Sequence, residues 1–318
     1  VLTNLSSAKE EAEKIGYPVL IKASSGGGGR GMRVANNKSE LESAYQMAKA
    51  EAKACFGDDE VYMEKLVLSP RHIEIQLLCD EYGHVVHLGD RDCSVQRRNQ
   101  KIIEEASSPY MTEELRIRMG DAAVCLARKI KYTGVGTIEF LVDEERRFYF
   151  MEMNTRIQVE HPISEAITRI NLVQEQIRVA AGELLRFSQR DIVFVGHAIE
   201  CRINAEDPEK DFSPCPGTIK TLHLPGGQGV RIDSAIYQGY EIPPYYDSLL
   251  AKVIVWAPTR EEAITRMRRA LTEFLIDGVK TNIDFHLSIL REPDFIRGHY
   301  DNTYLTRKRD ELLGITEV

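Results

Sequence analysis

The chain has 318 residues, a length typical of about two domains, and its charge of −8 comes from 41 Lys and Arg against 49 Asp and Glu. Its composition, 43% hydrophobic and 28% charged, is that of a folded globular protein, and no apolar run is long enough to span a bilayer. These values exclude a disordered chain and argue against both nucleic-acid and membrane partners, because no excess of cations is present to bind a phosphate backbone.

The six cysteines lie far apart and form no C-x-x-C pair, which argues against a zinc ribbon or a disulfide scaffold and favours a reducing compartment. The chain begins at Val1 and shows no initiator Met, signal peptide or basic targeting segment. We therefore expect a cytoplasmic protein, or one of the mitochondrial matrix if its source is eukaryotic. We also expect the chain to be a fragment of a longer protein.

Short helices and strands alternate in the first part of the chain. Ser7 with a Glu three residues later predicts the start of a helix that ends at Gly16, and Ser39 predicts the start of a second helix in the same way. Residues 18–23 predict a strand between them. Strict alternation over residues 72–77 predicts a strand with one apolar face and one polar face. The polar face carries His72, Glu74 and Gln76.

A long helix and a hairpin come next. Residues 112–130 have helical periodicity, and residues 136–142 and 148–154 predict a hairpin that turns at 144–147. The expected buried stripe of the helix is Leu115, Met119, Ala122, Leu126 and Ile130.

From about residue 196 the sequence is dominated by β segments, and Thr259 predicts the cap of one further helix. This change places a domain boundary between about 183 and 196, and we predict domains over residues 1–190 and 191–318. Helices mixed with antiparallel hairpins predict the α+β class and not a doubly wound parallel sheet. The β segments are 196–204, 217–224, 229–234 and 249–257.

A glycine-rich loop at residues 24–31 joins the first predicted strand to a second one at 32–35. Backbone N–H groups of such a loop can close around phosphate oxygens without side-chain interference. The loop is not a P-loop, because no Gly-Lys-Ser/Thr sequence or helix follows it. A glycine run alone is as often a flexible surface loop, but Lys22 and Arg30 flank this one with positive charge. We therefore predict a lid over nucleotide phosphates.

The hairpin opposes two carboxylates. If it turns symmetrically, Asp143 faces Phe148 and, in the same register, Glu139 faces Glu152. Opposed like charges are destabilising, so a fold retains them when a counter-charge is present. Mg²⁺ suits two hard oxygen ligands together with substrate phosphates. The alternative is a shifted register, or two glutamates that both point to solvent.

Polar residues occupy every second position directly after the hairpin, and an extended chain would place them on one face. A solvated edge strand is the alternative explanation. Arg156 is suited to orient a planar oxyanion and Glu160 to act as a base, whereas a single strand arginine such as Arg202 is usually a surface residue. The alternating residues are Glu152, Asn154, Arg156, Gln158 and Glu160.

Taken in order, several motifs closely resemble those of the biotin carboxylases of the ATP-grasp superfamily. The resemblance covers nearly the whole chain, and the stretch 152–161 is its most specific part, whereas the glycine loop alone is shared with other ATP-grasp enzymes. The motifs are Lys22 with 26–31, Met-Glu-Lys at 63–65, His-Ile-Glu-Ile-Gln at 72–76, 91–98, Glu139, 152–161, Cys-Arg-Ile-Asn-Ala-Glu at 201–206, 245–248 and 277–282.

The resemblance implies that ATP and bicarbonate give carboxyphosphate, and that biotin is then carboxylated at a ureido nitrogen. Mg²⁺, or Mn²⁺, would be held by Glu139, Glu152 and Asn154. The ATP phosphates would be bound by Lys22 and by the lid residues Gly27, Gly28, Gly29, Arg30 and Gly31. The adenosine pocket would be lined by Glu64, Lys65, His72, Gln96 and Leu141.

The resemblance also implies a bicarbonate site formed by Lys101, Arg156, Gln158 and the Val159 backbone. Glu160 would take the proton of bicarbonate, and Arg202 would stabilise the enolate of biotin. Asn99 stands where many relatives have His, which leaves a ribose or phosphate role for this position open.

Partners follow from the same resemblance, which begins after the family's N-terminal domain, the source of another nucleotide-side lysine. The chain has no Ala-Met-Lys-Met biotinylation motif. We therefore expect a separate biotin carboxyl carrier protein or domain and a carboxyltransferase component, and the family implies a homodimer. The acyl acceptor stays open between acetyl-CoA, as in fatty acid biosynthesis, propionyl-CoA, pyruvate and others.

Two other functions stay open. One is a different bicarbonate-activating ATP-grasp ligase, of the carbamoyl-phosphate type. The other is a non-catalytic nucleotide-binding fragment. The alternating segment and Arg202 favour biotin carboxylation over both.

Overall fold

The computed structural model describes residues 2–25 and 31–314, and it divides the chain into two compact units, Val1–Leu68 and Ser69–Val318. Helices and antiparallel strands are present in both units, which confirms the predicted α+β class. The compact units do not coincide with the predicted domains, and the division near residue 190 stays a prediction. No helix of the described residues is long and apolar enough to cross a bilayer.

In the first unit, two helices cover an antiparallel sheet with the strand order β2-β1-β3. Leu41, Ala44 and Ala48 of the second helix are buried against the sheet, as their spacing predicts. The elements are α1 Leu5–Ile15, β1 Val19–Ala23, β2 Met32–Ala35, α2 Lys38–Phe56 and β3 Val61–Lys65.

The caps predicted for these two helices are wrong by two or three residues. The first helix is capped by Asn4, whose side chain accepts a hydrogen bond from the backbone N–H of Ser7, and the second by Asn37. Ser7 lies within the capping box as its third helical residue, because its hydroxyl accepts from the backbone N–H of Asn4. Asn and Ser are nearly equivalent as caps, so the sequence alone does not separate two candidates that lie so close together.

The second unit contains the largest sheet among the described residues, with the order β14-β16-β9-β6-β5-β4-β7-β8, and every pairing in it is antiparallel. Its strands are β4 Arg71–Cys79, β5 Val85–Arg97, β6 Gln100–Ala106, β7 Gly134–Val142, β8 Phe148–Asn154, β9 His197–Asn204, β14 Val230–Ser234 and β16 Leu249–Ala257. Shorter strands of this unit are β10 Glu206–Asp207, β11 Ser213–Pro214, β12 Gly217–Thr218, β13 Thr221–His223, β15 Glu241–Ile242 and β17 Leu275–Asp277. The helices are α3 Glu113–Lys129, α4 His161–Thr168, α5 Leu172–Ala180, α6 Arg260–Glu273, α7 Ile283–Ile289, α8 Pro293–Ile296 and α9 Tyr304–Leu312.

Apolar side chains cover this sheet on both sides. Helices α3 and α6 pack on one face, α3 against β4 and β5 and α6 against β9 and β16, while α4 and α5 cover the other face. The predicted cap at Thr259 and the apolar face of α6 are confirmed. The stripe predicted for α3 is only partly correct: Leu115 and Met119 are buried, but Ile130 follows the last turn and is exposed.

The central strand β4 is buried on both faces, which explains why the fold can hold a polar face in its interior. Ile73, Ile75 and Leu77 contact the core beneath α3, while the alternate residues of the strand face the other side. The polar side of β4 must therefore find its partners within the protein, since water does not reach it.

We predict that Ile75→Ala lowers the free energy of unfolding by about 2–5 kcal/mol, because it removes buried methyl groups and leaves a cavity. Ile177→Ala is the matched control, since Ile177 is 65% exposed, and it should change stability by less than about 0.5 kcal/mol. Urea unfolding of both variants makes the comparison. Equal losses in the two variants would contradict the assignment of β4 to the core.

Candidate active site

Charged and polar side chains fill the face of the main sheet opposite α3. They come from neighbouring strands and from the start of α4, and they contact one another instead of water. The buried members of this cluster, each less than one tenth exposed, are His72, Glu74, Gln76, Arg91, Glu104, Thr137, Glu139, Gln158, Glu160, Ser164 and Glu200.

Lys101 of β6 lies at the centre of the cluster. Its ammonium contacts Glu74, lies 2.8 Å from Oε1 of Glu160 and lies 3.1 Å from Oε1 of Glu139. Burial opposes the charge of Lys101, but these carboxylates raise its pKa well above the usual value. One cation thus joins three acidic side chains that are far apart in sequence.

Arg91 of β5 is fully buried and fixes the polar side of β4. Its Nη2 lies 2.9 Å from Oε2 of Glu74 and donates to the amide oxygen of Gln158 at 2.8 Å. Burial raises the pKa of Glu74, but Lys101 and Arg91 outweigh it and lower that pKa to about 2. The remaining hydrogen bonds of the guanidinium go to Gln76, Thr137 and Ser164.

In the β7–β8 hairpin Glu139 lies opposite Glu152, as predicted, but the register of the two strands near the turn differs from the predicted one. Phe148 pairs with Val142 and not with Asp143, because the ladder shifts by one residue between Glu139 and Phe140. This β-bulge changes which face the side chains of β8 occupy, since the alternation is interrupted by one residue. Beyond it, Glu152 pairs with Glu139, and the predicted opposition is restored.

The two opposed glutamates have different surroundings. Glu139 is buried and lies 2.9 Å from Nε2 of His72, while its Oε1 accepts from Asn154 at 2.8 Å and from Gln158 at 2.7 Å. Burial raises the pKa of Glu139, but the close contact with His72 and its charge outweigh burial, so the pKa of Glu139 lies well below its usual value. The same contacts raise the pKa of His72 to about 9 against the effect of burial, whereas Glu152 is exposed.

The donor atoms of His72, Glu74 and Glu139 lie within 4.8 Å of one another, a spacing compatible with a metal ion. Glu74 is already matched by two cations, however, so it is the least suited of the three to a further one. The opposed pair Glu139 and Glu152, with Asn154 beside it, supplies hard oxygen donors of which one is open to solvent.

The prediction that residues 152–160 form one extended face is wrong beyond residue 154. Strand β8 ends at Asn154, and the chain then turns so that Glu160 becomes the residue before α4, with a proline in the first turn of that helix. Arg156 is exposed and its Nη2 lies 3.4 Å from Oδ1 of Asn154. Gln158 and Glu160 turn inward and are buried. The carbonyl oxygen of Val159, between them, accepts from Lys252 at 2.8 Å.

Glu160 is held between two cations, neither of which is Arg156. Oε1 lies 2.8 Å from Lys101, and Oε2 lies 2.9 Å from Nη2 of Arg202. Arg202 is mostly buried, so the expectation that a single strand arginine is a surface residue does not hold here. The same Nη2 contacts Glu104 at 2.6 Å, and the Nε of Arg202 donates to Glu104 at 2.7 Å.

Two further predicted residues lie beside this cluster on the main sheet. Gln96 contacts Nδ1 of His72 at 2.8 Å, and Leu141 is the cross-strand partner of His72. Asn99 is exposed in the turn between β5 and β6, where Arg98 and Asn99 both have positive φ. Asn is favoured in such two-residue turns, which gives a local reason for Asn at this position.

In the first unit, Lys22 lies on the central strand of its sheet and contacts Glu64 at 2.6 Å. Lys65 donates to the carbonyl oxygens of residues 16 and 17. Gly31 has a φ of +69°, and a Cβ there would lie 2.8 Å from that of Ala23, so the position directly before β2 requires glycine. The lid residues Gly27, Gly28, Gly29 and Arg30 lie outside the described residues.

Sequence reasoning did not assign Glu74, Arg91, Glu104 and Lys252 to the site. The alternation over residues 72–77, which places Glu74 on the polar face of its strand, was the available signal for Glu74. Nothing local identifies their partners, because each ion pair joins different strands.

Two family models match the chain. "Carbamoyl-phosphate synthase L chain, ATP binding domain" matches residues 1–188, and "Biotin carboxylase C-terminal domain" matches residues 200–307. Among solved structures, the biotin carboxylase domain dimer of the 2-oxoglutarate carboxylase of Hydrogenobacter thermophilus, in complex with MgADP, ADP and bicarbonate, superimposes with a TM-score of 0.94. It is 52% identical, over 98% of this chain and 69% of that chain.

Curated relatives agree with this. The chain is 60% identical to the chloroplastic biotin carboxylase 1 of Populus trichocarpa, over 96% of this chain and 58% of that protein. It is 54% identical to biotin carboxylase 1 of Bacillus subtilis, over 96% of this chain and 68% of that protein. The chain thus spans about three fifths of the length of the plant relative.

We predict that Glu74→Gln destabilises the protein at pH 7 by about 3–5 kcal/mol, because it removes the buried counter-charge of Arg91 and one of the three carboxylates around Lys101. The pKa of Glu74 is lowered in the folded state, so its contribution is present above the usual value of 4.5 and is lost as the pH falls towards 2. The difference from wild type should therefore narrow over this pH range.

Unfolding free energies from urea titrations between pH 7 and 2 test this. Glu145→Gln serves as the control, since Glu145 is exposed in the hairpin turn and its substitution should give a small difference at all pH values. A difference for Glu74→Gln that stays constant with pH would contradict the predicted ionisation.

Proposed function

The chain belongs to the biotin carboxylase family, and from this we propose that the protein uses ATP and bicarbonate to carboxylate biotin by way of carboxyphosphate. One observation carries the proposal. Glu160 is buried as a carboxylate between Lys101 and Arg202, at the edge of a cluster that also holds Glu139 and Gln158. This arrangement joins a base to cations suited to bicarbonate and to a developing negative charge.

In this proposal Glu160 is the general base that takes the proton of bicarbonate. Lys101, Arg156, Gln158 and the Val159 backbone bind the anion. Gln158 is well suited to bind the anion, because Arg91 donates a hydrogen bond to its amide oxygen and so fixes the orientation of the amide group. Lys252 holds the Val159 carbonyl and thereby the turn that carries Glu160. Arg202 stabilises the enolate of biotin.

Mg²⁺, or Mn²⁺, is proposed to bind at Glu139, Glu152 and Asn154. Two carboxylates opposed across a ladder favour a cation between them, and Glu152 is exposed towards solvent. When bound, the ion would supply positive charge next to the phosphate oxygens. Glu139 is fixed beforehand by His72 and Lys101, so its carboxylate is already ionised and oriented.

Nucleotide binding is proposed for both units. In the second unit, His72, Gln96 and Leu141 lie together on adjacent strands and would contact adenosine, with Asn99 at the turn beside them. In the first unit, the proposed set is Lys22, Glu64, Lys65 and the lid residues Gly27, Gly28, Gly29, Arg30 and Gly31. The matches of the two family models support domains over residues 1–190 and 191–318.

We propose that biotin reaches the site on a separate carrier protein or domain and that a carboxyltransferase component uses the product. The dimer described for the Hydrogenobacter domain supports a homodimer. A cytoplasmic location, with fatty acid biosynthesis as one pathway, is part of the same proposal.

The match to a carbamoyl-phosphate synthase model supports one alternative, in which ammonia is the acceptor. Bicarbonate-dependent ATP cleavage by the full-length protein, measured with free biotin and then with ammonia, separates the two functions. Stimulation by biotin with formation of carboxybiotin is expected. Stimulation by ammonia alone would favour the alternative. A rate of ATP cleavage that does not depend on bicarbonate would refute both functions.

We predict that Glu160→Gln lowers bicarbonate-dependent ATP cleavage roughly 10²–10⁴-fold, because it keeps the shape of the side chain but removes the base. Affinity for a non-hydrolysable ATP analogue with Mg²⁺, measured by isothermal titration calorimetry, should stay within a few-fold. Glu145→Gln is the control for both assays. ATP cleavage near the wild-type rate, or a parallel loss of nucleotide binding, would show that Glu160 is not the base.

We also predict that Glu152→Gln leaves the metal-free protein as stable as wild type or more stable, because it relieves repulsion with Glu139, while activity at ordinary Mg²⁺ concentrations collapses. The thermal midpoint without metal and the ATPase rate across a Mg²⁺ titration are the measurements. A destabilised variant with normal Mg²⁺ dependence would mean that the pair is structural.

A further inference from the structure

Two glutamates of neighbouring strands oppose each other beside Arg202. Glu104 of β6 and Glu200 of β9 are cross-strand partners, and both are completely buried. Directly opposed side chains in a ladder have Cβ atoms about 5 Å apart, so two negative charges there would repel each other strongly without water. The proposed reaction assigns neither residue a role.

The two glutamates have different contacts, and this difference decides which of them carries the negative charge. Oε1 of Glu104 contacts both Nε and Nη2 of Arg202, at 2.7 and 2.6 Å. Among the described residues, neither oxygen of Glu200 has a hydrogen-bond partner, and Oε2 of Glu104 has none either. An ionised carboxylate buried in this way is very costly, whereas a protonated one has both a donor and an acceptor to offer its neighbour.

The charged groups around the pair do not change this assignment. Glu160, at the start of α4, adds negative charge and shares Nη2 of Arg202 with Glu104. Lys101 of β6 is bound to other carboxylates, and Lys252 of β16 donates to the Val159 carbonyl. Burial raises the pKa of Glu200 well above its usual value, while Arg202 limits the rise for Glu104 to about 7, so that above pH 7 Glu104 is ionised while Glu200 keeps its proton.

We propose that Glu104 and Glu200 share a single proton, held on Glu200, and that the one negative charge left on Glu104 positions the guanidinium of Arg202 for biotin. Glu104 is thus a positioning residue and not a catalytic one. It binds Nε and Nη2 of Arg202, and the same Nη2 also contacts Glu160. The backbone of Arg202 is fixed as well, because its carbonyl accepts from Asn282 at 3.0 Å and contacts His286 at 2.8 Å.

A second anion matters because Glu160 changes its charge in the proposed reaction. Once Glu160 has taken the proton of bicarbonate, its attraction for Arg202 falls. Glu104 still holds the guanidinium at that stage, so the cation is retained in place when the enolate forms. If Glu200 were ionised too, Arg202 would be drawn towards two carboxylates on the strand and away from the substrate. This part of the inference depends on the proposed function, whereas the shared proton does not.

Infrared spectroscopy tests the shared proton directly. At pH 8, above the pKa of Glu104, the wild-type protein should show the C=O stretching band of a buried protonated carboxyl group, shifted on exchange into D₂O. Glu200→Gln should remove the band and keep the thermal midpoint within about 4 °C, because Gln preserves shape and neutrality. Glu145→Gln should retain it. Absence of the band in wild type, or its persistence in Glu200→Gln, would overturn the proposal.

The positioning role is tested with Glu104→Gln and with Glu104→Asp as the conservative variant. Glu104→Gln should lower the carboxybiotin formed per ATP cleaved about tenfold and raise the Michaelis constant for biotin, with Mg·ATP affinity unchanged. Glu104→Asp should recover part of the ratio. An unchanged ratio in Glu104→Gln would overturn the role, since a merely structural residue would alter amounts of folded protein and not this ratio.

One readout does not depend on activity at all. The Nε–H group of Arg202 donates a hydrogen bond to Glu104. As measured by NMR, its proton should exchange with solvent slowly in wild type and at least tenfold faster in Glu104→Gln. Fast exchange in wild type would overturn the positioning. If wild type forms no carboxybiotin but shows the protonated carboxyl band and slow exchange, the proposed function fails while the charge arrangement is upheld.

Discussion

The rest of the site depends on the contacts between the ammonium group of Lys101 and three carboxylates. This group is the shared counter-charge of Glu74, Glu139 and Glu160, which come from three different elements and are buried close together. Because each of these carboxylates contacts a second cation, the charges alternate across the sheet in a continuous network. Such a network is rigid, since moving one member leaves its neighbours unpaired at a large free-energy cost. Substrate groups that enter it therefore meet charges that are already in position.

Local sequence patterns predict most elements of this fold. The alternation around Ile75 and the spacing in α6 identify a strand and a helix whose buried faces are those observed, because burial of apolar side chains decides both. The errors occur where two local solutions have similar free energies. Asn4 and Ser7 are both good caps, and α3 ends at Lys129 although the apolar periodicity continues to Ile130. No local feature of the sequence makes a free-energy difference large enough to choose between such alternatives.

The site is a harder case, because its interactions join residues that are distant in sequence. The pairing of Glu139 with Glu152 was accessible from the hairpin, whose strands are adjacent along the chain. The contact of Arg202 with Glu104 and Glu160 was not, since it depends on β6 and β9 becoming neighbours. Alternation alone also overestimated the length of β8, although the proline in the first turn of α4 was a sign that a helix begins there. Resemblance to a family names residues, but the charge that each one meets comes from the fold.

The β-bulge in β8 has a consequence for how this hairpin can change during evolution. By adding one residue on the β8 side, it places Phe150 opposite Phe140 on the core side and returns Glu152 to the side of Glu139. A chain without the bulge, with one residue fewer between the two glutamates, would oppose the same pair in a regular ladder. Deletion of this one residue is thus compatible with the opposition of the two glutamates, although it shortens the sequence interval between them.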